Sequence, residues 1–239
     1  NKWLGKVADK VAVSFKESAK FFSKDKVELT GNMIREEFCQ PRESFPKGPR
    51  GLFRVLVLGG SQGAHSINVA MVEALESLAS KKGNIHITHQ TGESDFEMVK
   101  REYENSGLSH DVRPFIDGMA EQYRKASLVV CRAGATTLAE VTACGKVSVL
   151  IPYPHAAHNH QEKNARVLDA ADAGELVLDQ ELSGPRIAQS ILHAMDNPER
   201  MEEMEENSYQ LGNRDATEKV RQICMELLED ATPKSGHAG

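Results

Sequence analysis

From Phe53 to the end of the sequence, short runs of β-branched and other apolar residues alternate with stretches whose apolar positions recur at helical spacing. Phe53–Leu58, Ile85–Thr88, Val112–Phe115, Leu128–Cys131, Val147–Ile151 and Leu176–Leu178 read as strands. Helical patterns fall between them, over Ile67–Leu78, up to about Ser106, over Thr137–Cys144 and again before Leu176, and Pro185–Glu229 reads as helices throughout. Strands that are apolar on both sides and separated by helices cannot pair as hairpins. They imply parallel βαβ units, a sheet covered on both faces, and an α/β fold of the doubly wound, Rossmann-like kind. In such a sheet ligands collect at the carboxyl ends of the strands, where the strand order reverses. The search for chemistry therefore narrows to the loops after residues 58, 90, 115, 131 and 151.

The 239 residues suffice for one large domain, or one domain and a piece of another, with a core that needs no disulfide or metal to hold it. The four cysteines, Cys39, Cys131, Cys144 and Cys224, show no paired spacing, which argues for reduced thiols and a cytosolic setting. A net charge of −6 speaks against a general nucleic-acid binder. The charge is uneven: residues 1–50 hold 11 Lys/Arg against 7 Asp/Glu, and the acidic excess lies in the rest. Residues 40–51, with three Pro and two Gly, read as a linker at that boundary. Ahead of it stand an amphipathic stretch (Trp3, Leu4, Val7, Val11) and two candidate strands, Val11–Phe15 and Lys26–Thr30. No secretory leader or long apolar run opens the sequence, which starts at Asn1 without Met and reads as a piece of a longer chain.

Two glycine loops follow buried strands. In the first, Leu58-Gly59-Gly60-Ser61-Gln62-Gly63-Ala64 runs from strand to helix. Glycines there let the backbone approach a phosphate, and the helix start supplies unpaired N–H groups. Gly59, Ser61 and Gly63 also match the elbow of serine hydrolases, but that elbow follows several strands and an oxyanion loop absent here. A dinucleotide fold needs other glycine spacing and an acid at the end of the second strand, which instead reads His89-Gln90-Thr91-Gly92. A tight turn without a ligand is the plain alternative, and a phosphate or diphosphate loop is the best remaining choice.

The second loop, Cys131-Arg132-Ala133-Gly134-Ala135, repeats the design and leads to Thr136, Thr137, Leu138, Ala139 and Glu140. Two such loops side by side suggest one extended ligand with a phosphate and a polar end. Glu140 admits two roles. Thr137-Leu138-Ala139-Glu140 has the form of a capping box, in which Glu140 serves the helix start. Its carboxylate could equally accept two hydrogen bonds from a ribose diol. After the next strand, Pro152–Asn164 carries His155, His158 and His160. The spacing lacks the partners of a zinc site, and a polar loop presenting His155, Asn159, His160 and Gln161 to a hydroxylated ligand fits better. His86, His110, His193 and His237 read as inert surface histidines.

Together, Thr30–Arg35, Gly59–Ala64, Phe115–Met119, Cys131–Glu140 and Pro152–Ala165 resemble, in order and spacing, the MurG family of peptidoglycan UDP-N-acetylglucosamine transferases. The likeness covers about residues 7–170 and implies the C-terminal half of a GT-B glycosyltransferase. It implies residues 1–34 as the remnant of an N-terminal acceptor domain, 35–51 as linker, 52–230 as the UDP-GlcNAc-binding domain and 231–239 as a tail. It implies Arg35 and Ser61 at the diphosphate, Ile116 offering backbone groups to uracil, and Ala135 through Glu140 bringing a helix start to the phosphate. Glu140 then meets the ribose and Gln161 the sugar hydroxyls. The family has Pro where Met33 stands and often Ser where Ala133 stands. Its N-terminal domain, with a further glycine loop and the candidate catalytic base, does not appear in the sequence, so no catalytic residue is assigned here.

The activity implied is inverting transfer of GlcNAc from UDP-GlcNAc to lipid I, giving lipid II, by a hexosyltransferase of peptidoglycan synthesis, without metal or other cofactor and without nucleic acid. The implied setting is cytoplasmic, peripheral on the inner face of the bacterial cell membrane. Two alternatives stand beside it: a donor-binding subunit of a split glycosyltransferase, and a GT-B enzyme with another lipid acceptor such as diacylglycerol.

Overall fold

A computed structural model describes residues 3–14, 16–41, 51–60, 63–156 and 159–231. The chain divides into two compact units, one of residues 1–35 with the chain from 213 onward, the other of residues 36–212.

The first unit opens with a one-turn helix, α1 (Leu4–Val7), then β1 (Val11–Val13), α2 (Lys16–Ala19) and β2 (Val27–Leu29). The two strands pair in parallel, Val11 opposite Val27 and Val13 opposite Leu29. Lys10 donates to the Glu28 carboxylate at 2.8 Å beside them.

The second unit begins its sheet with β3 (Phe53–Leu58) and continues α3 (His65–Leu78), β4 (Ile85–Gln90), α4 (Phe96–Ser106), β5 (Ser109–Arg113) and α5 (Met119–Lys125). Then come β6 (Leu128–Cys131), α6 (Ala135–Ala143), β7 (Ser148–Leu150), α7 (His160–Ala170), β8 (Gly174–Leu176), α8 (Gly184–Asp196) and α9 (Pro198–Leu211). The six strands lie in the order β5-β4-β3-β6-β7-β8 and all pairs are parallel. This is the doubly wound arrangement expected from the alternation of strands and helices. The order reverses between β3 and β6, whose last residues, Leu58 and Cys131, stand opposite each other in register. The loops leaving those two residues therefore flank the crevice of the switch point.

Burial explains why these runs form these elements. Val55, Val57, Ile85, Ile87 and Val130 are buried on one face of the sheet, against Ile67, Met71 and Leu78 of α3 and Ile187 and Ile191 of α8. Each such side chain withdrawn from water contributes about 1.5–3 kcal/mol. The spacing 67, 71, 74, 75, 78 on α3 is the helical stripe that the sequence shows.

Several boundaries differ from the sequence reading by a few residues, among them these three. The third sheet strand ends at Arg113, not Phe115, because Pro114 has no N–H for the ladder, and it begins at once after Gly107 closes α4 in the left-handed region. The last strand is Gly174–Leu176, since pairing with Ser148–Leu150 fixes its register. The helix after β6 starts at Ala135, two residues before Thr137.

The last helix, α10 (Ala216–Ala231), belongs to the first unit. Asn213 donates its side-chain N–H to the Thr30 carbonyl at 2.8 Å, just ahead of it. The grouping by contacts places residues from 213 with the first 35, whereas the resemblance implies residues 52–230 as one domain.

Candidate functional site

The crevice is built from two helix starts. Neither α3, preceded by Ala64, nor α6, preceded by Gly134, has a side-chain cap hydrogen bond. Neither capping residue has a side chain that could serve the first-turn N–H groups, and the helix dipoles favour a negative charge there.

The two loops use glycine for different reasons. Gly63 has φ +77°, and a Cβ on it would sit 2.4 Å from the Thr91 carbonyl oxygen. Gly134 has φ −67° and ψ 145°, open to any residue, and a Cβ there would meet nothing closer than Thr137 Oγ1 at 3.7 Å. The protein's own packing requires the first glycine and does not require the second. Room in front of α6 is what a side chain at position 134 would take.

The start of α6 bears on one of the two roles of Glu140. With Gly134 as the capping residue, Thr137 is the third residue inside the helix and Glu140 the sixth. A capping box needs Thr137 outside the helix and Glu140 in its first turn, so that role is excluded. Glu140 is half-buried on α6, near the switch-point end of β6. Burial first, and the Glu140 charge second, push the Cys131 thiol up to about 12. Cys131 is thus an inert core thiol. Ala135, Thr136, Thr137 and Ala139 lie on the same two turns, while Leu138 is buried and anchors the helix.

Ile116 is buried, and its N–H donates to Gln90 Oε1 at 3.0 Å. Gln90 Nε2 in turn donates to the Gly60 carbonyl at 3.1 Å. The expectation that Ile116 offers backbone groups to a base is accordingly narrowed: in this state its N–H is used within the protein and its carbonyl remains. Gln90, at the end of β4, ties together the loops after β3, β4 and β5. Sequence reading passed over it while looking for an acid at that strand end; a polar residue closing a buried strand was the signal.

On the other side of the switch point Arg132 does similar work. Its Nη1 donates to Asp179 Oδ1 at 2.7 Å and to the carbonyls of Ile151 and Pro152 at 3.2 Å, and its Nη2 to Ser66 Oγ at 2.7 Å. The guanidinium lies 5.5 Å from the centre of the Tyr153 ring. One side chain thus joins α3 to the loops after β6, β7 and β8. The Tyr153 N–H donates to Gln161 Oε1 at 3.0 Å, which fixes Gln161 at the start of α7; its amide nitrogen has no acceptor among the described residues. Arg35 is exposed and ends the first unit, and Ser61 lies outside the described residues.

A buried polar chain braces the glycine loop from behind. Asn68 on α3 donates to the Thr91 carbonyl at 2.9 Å and to Asp95 Oδ2 at 2.7 Å. Its Oδ1 faces His89 Nε2 at 3.0 Å, and His89 Nδ1 faces the Tyr103 hydroxyl at 3.1 Å. With both amide hydrogens of Asn68 committed, Oδ1 accepts, so Nε2 carries the ring proton and Nδ1 accepts from Tyr103. Burial lowers His89 to about 3, against a small opposing effect of Asp95.

Residues 54–220 match the glycosyltransferase family 28 C-terminal domain. The chain belongs to glycosyltransferase family 28. Among family 28 relatives, the UDP-N-acetylglucosamine–N-acetylmuramyl-(pentapeptide) pyrophosphoryl-undecaprenol N-acetylglucosamine transferase of Geobacter sulfurreducens is 49% identical over 222 residues, covering 92% of this chain and 61% of its own length. The enzyme of the same name from Thermodesulfovibrio yellowstonii is 46% identical, with 95% and 63% covered. The crystal structure of Acinetobacter baumannii MurG superposes with a TM-score of 0.75 at 28% identity, over 94% of this chain and 63% of that one. A UDP-GlcNAc 2-epimerase from Neisseria meningitidis shares the fold, with a TM-score of 0.64 at 13% identity. The chain thus spans about three fifths of the length of the curated relatives it matches. Its fold is that of the C-terminal half of a GT-B glycosyltransferase. Among the described residues no helix is long and apolar enough to cross a membrane.

Proposed function

We propose that this family 28 chain is the donor-binding part of an N-acetylglucosaminyltransferase that moves GlcNAc from UDP-GlcNAc to lipid I, giving lipid II. The observation that carries the reading is the pair of uncapped helix starts at the switch point, with Glu140 one and a half turns into α6. The names borne by relatives at 46–49% identity supply the substrate.

In this reading the diphosphate lies before the starts of α3 and α6, with Ser61 and Arg35 as further donors, Arg35 being suited by its bidentate geometry. Uracil takes the Ile116 carbonyl, Glu140 the ribose hydroxyls and Gln161 the sugar. A base in the acceptor domain of the longer protein removes the acceptor's hydroxyl proton. The acceptor oxygen attacks the anomeric carbon, the bond to the diphosphate breaks, and configuration inverts. Negative charge then grows on departing UDP, where the two helix starts are already oriented to receive it. We assign residues 1–34 to the end of that acceptor domain and 35–51 to the linker. Peripheral attachment to the inner face of the cell membrane, where a lipid-linked acceptor resides, completes the proposal.

Calorimetry on this chain tests the donor part. UDP should bind, and Glu140→Ala should weaken it about tenfold or more, the scale of a charged hydrogen-bond pair to a diol. The variant should remain folded at the temperature of the titration, because Glu140 does not cap its helix, and its unfolding curve is recorded alongside. No UDP binding at millimolar ligand would falsify the reading.

A further inference from the structure

On the face of the sheet opposite α3 and α8, the seven-residue α5 packs beside β3. Strand alternation and register bring Arg54 opposite His86, Leu56 opposite Thr88, and Thr88 opposite Asp111 on that face. These residues, with Arg113, Gln122 and Lys125, line a cavity of about 190 Å³. Arg54 and His86 are each the second residue of their strand, so the cavity lies toward the amino ends of β3 and β4, away from the switch-point crevice.

The lining is cationic in a chain whose net charge is −6. Arg54, Arg113 and Lys125 face a single carboxylate, Asp111, which is taken up by Arg113 at 2.8 Å. Lys125 pairs with Glu121 on its own helix. Arg54 has no ion pair among the described residues, and its Nε is buried without an acceptor. Its backbone is clamped on both sides, the N–H donating to Ser127 Oγ at 3.2 Å and the carbonyl accepting from the Ser127 N–H at 2.8 Å. A guanidinium on so fixed a backbone, with a buried donor unused, calls for an acceptor.

We infer that this cavity is an anion site for a phosphate-class oxyanion, held by Arg54 on β3, His86 on β4 and Lys125 on α5. Arg54 supplies the planar fork that matches two phosphate oxygens, and Lys125 a point charge from the opposite wall. His86 contributes a ring proton. It is half-buried, its Nδ1 lies 2.8 Å from Ser109 Oγ, and it is not the inert surface histidine that sequence alone suggests. Burial and then the Arg54 charge hold its pKa below the ordinary value, with His110 acting in the same direction and Asp111 against it. Arg113, Gln122 and Lys125 complete the groups around the cavity. An anion between Arg54 and His86 reverses the Arg54 effect, so phosphate uptake and His86 protonation are coupled. The site does not depend on the donor-binding proposal.

Nuclear magnetic resonance of the histidine rings in the full chain tests this, with inorganic phosphate titrated at constant ionic strength. The His86 pKa should rise by about one unit at saturation, a tenfold change in proton affinity. Arg54→Gln should weaken phosphate, read at His86, by at least tenfold, and Lys125→Gln by several-fold. Lys125→Gln carries the test alone if the Arg54 variant does not fold. An unmoved His86, equal affinity in both variants, or an equal response to acetate at the same ionic strength would each overturn the assignment.

Discussion

Acid should weaken the 36–212 unit in large part through His89. The ring is fully buried, and its pKa falls from 6.5 in the open chain to about 3 in the fold. Between those values the unfolded chain binds a proton that the folded chain refuses, so stability rises with pH across that window and is lost as pH falls. At pH 5 an imidazole of ordinary pKa is about 97% protonated, and His89 in the fold about 1%. Integrating that difference from pH 8 to pH 5 gives a loss of about 2 kcal/mol. The figure hardly changes if the folded value lies a unit higher, because pH 5 is still above it. The structural cause is specific. The neutral ring donates from Nε2 to Asn68 and accepts at Nδ1 from Tyr103; a second ring proton would force the Tyr103 hydroxyl to accept, leaving the hydroxyl's own proton without an acceptor among the described residues.

The assay is denaturant unfolding at several pH values between 8 and 5, for wild type and His89→Gln. The variant should be weaker at pH 8, since Tyr103 and Asn68 lose a matched partner. Its stability should then fall by about 2 kcal/mol less than wild type on going to pH 5, as the other titrating groups cancel in the comparison. Parallel curves for the two proteins would refute the reasoning, whatever their absolute stabilities. Ring nitrogen shifts offer a direct check, with His89 remaining neutral at pH 5.

Two further substitutions separate fold from ligand. Gly63→Ala should cost about 2–4 kcal/mol in thermal unfolding, combining a left-handed backbone with the 2.4 Å approach to Thr91. Gly134→Ala should leave stability within about 0.5 kcal/mol yet weaken UDP at least tenfold, because its Cβ fills only the space before α6. Arg132→Met should cost about 3 kcal/mol by denaturant midpoint, leaving Asp179 and two carbonyls without their donor, and a double-mutant cycle with Asp179→Asn should show coupling above about 1 kcal/mol.

The central strands were legible because they are largely buried on both faces, so that runs such as Leu128–Cys131 announce themselves without help from distant residues. Boundaries slipped where a partner strand or a backbone donor decided them, as at Pro114 and Gly174. The grouping of α10 with the first 35 residues was hidden for a similar reason. It depends on Asn213 meeting Thr30, a contact that no local pattern encodes. The candidate crevice was legible in its glycine loops and in Glu140. Its bracing was not: Gln90, Arg132 and the His89 chain act through partners 14 to 66 positions away, and a sequence offers only isolated polar residues at strand ends.

The glycines show where sequence reasoning reaches its limit and what resolves it. Gly63 and Gly134 occupy equivalent places, each closing a loop between a buried strand and a helix, and a reader of sequence must treat them alike. Geometry divides them. At Gly63 the fold itself forbids a side chain, through both φ and the Thr91 carbonyl, so that glycine is no sign of a ligand. At Gly134 neither the backbone nor any neighbour objects to a methyl group, so the fold gives no reason for glycine there. A phosphate approaching the start of α6 supplies one, since the first-turn N–H groups must come within about 3 Å of its oxygens. The stronger sign of function is thus the glycine that the structure does not need.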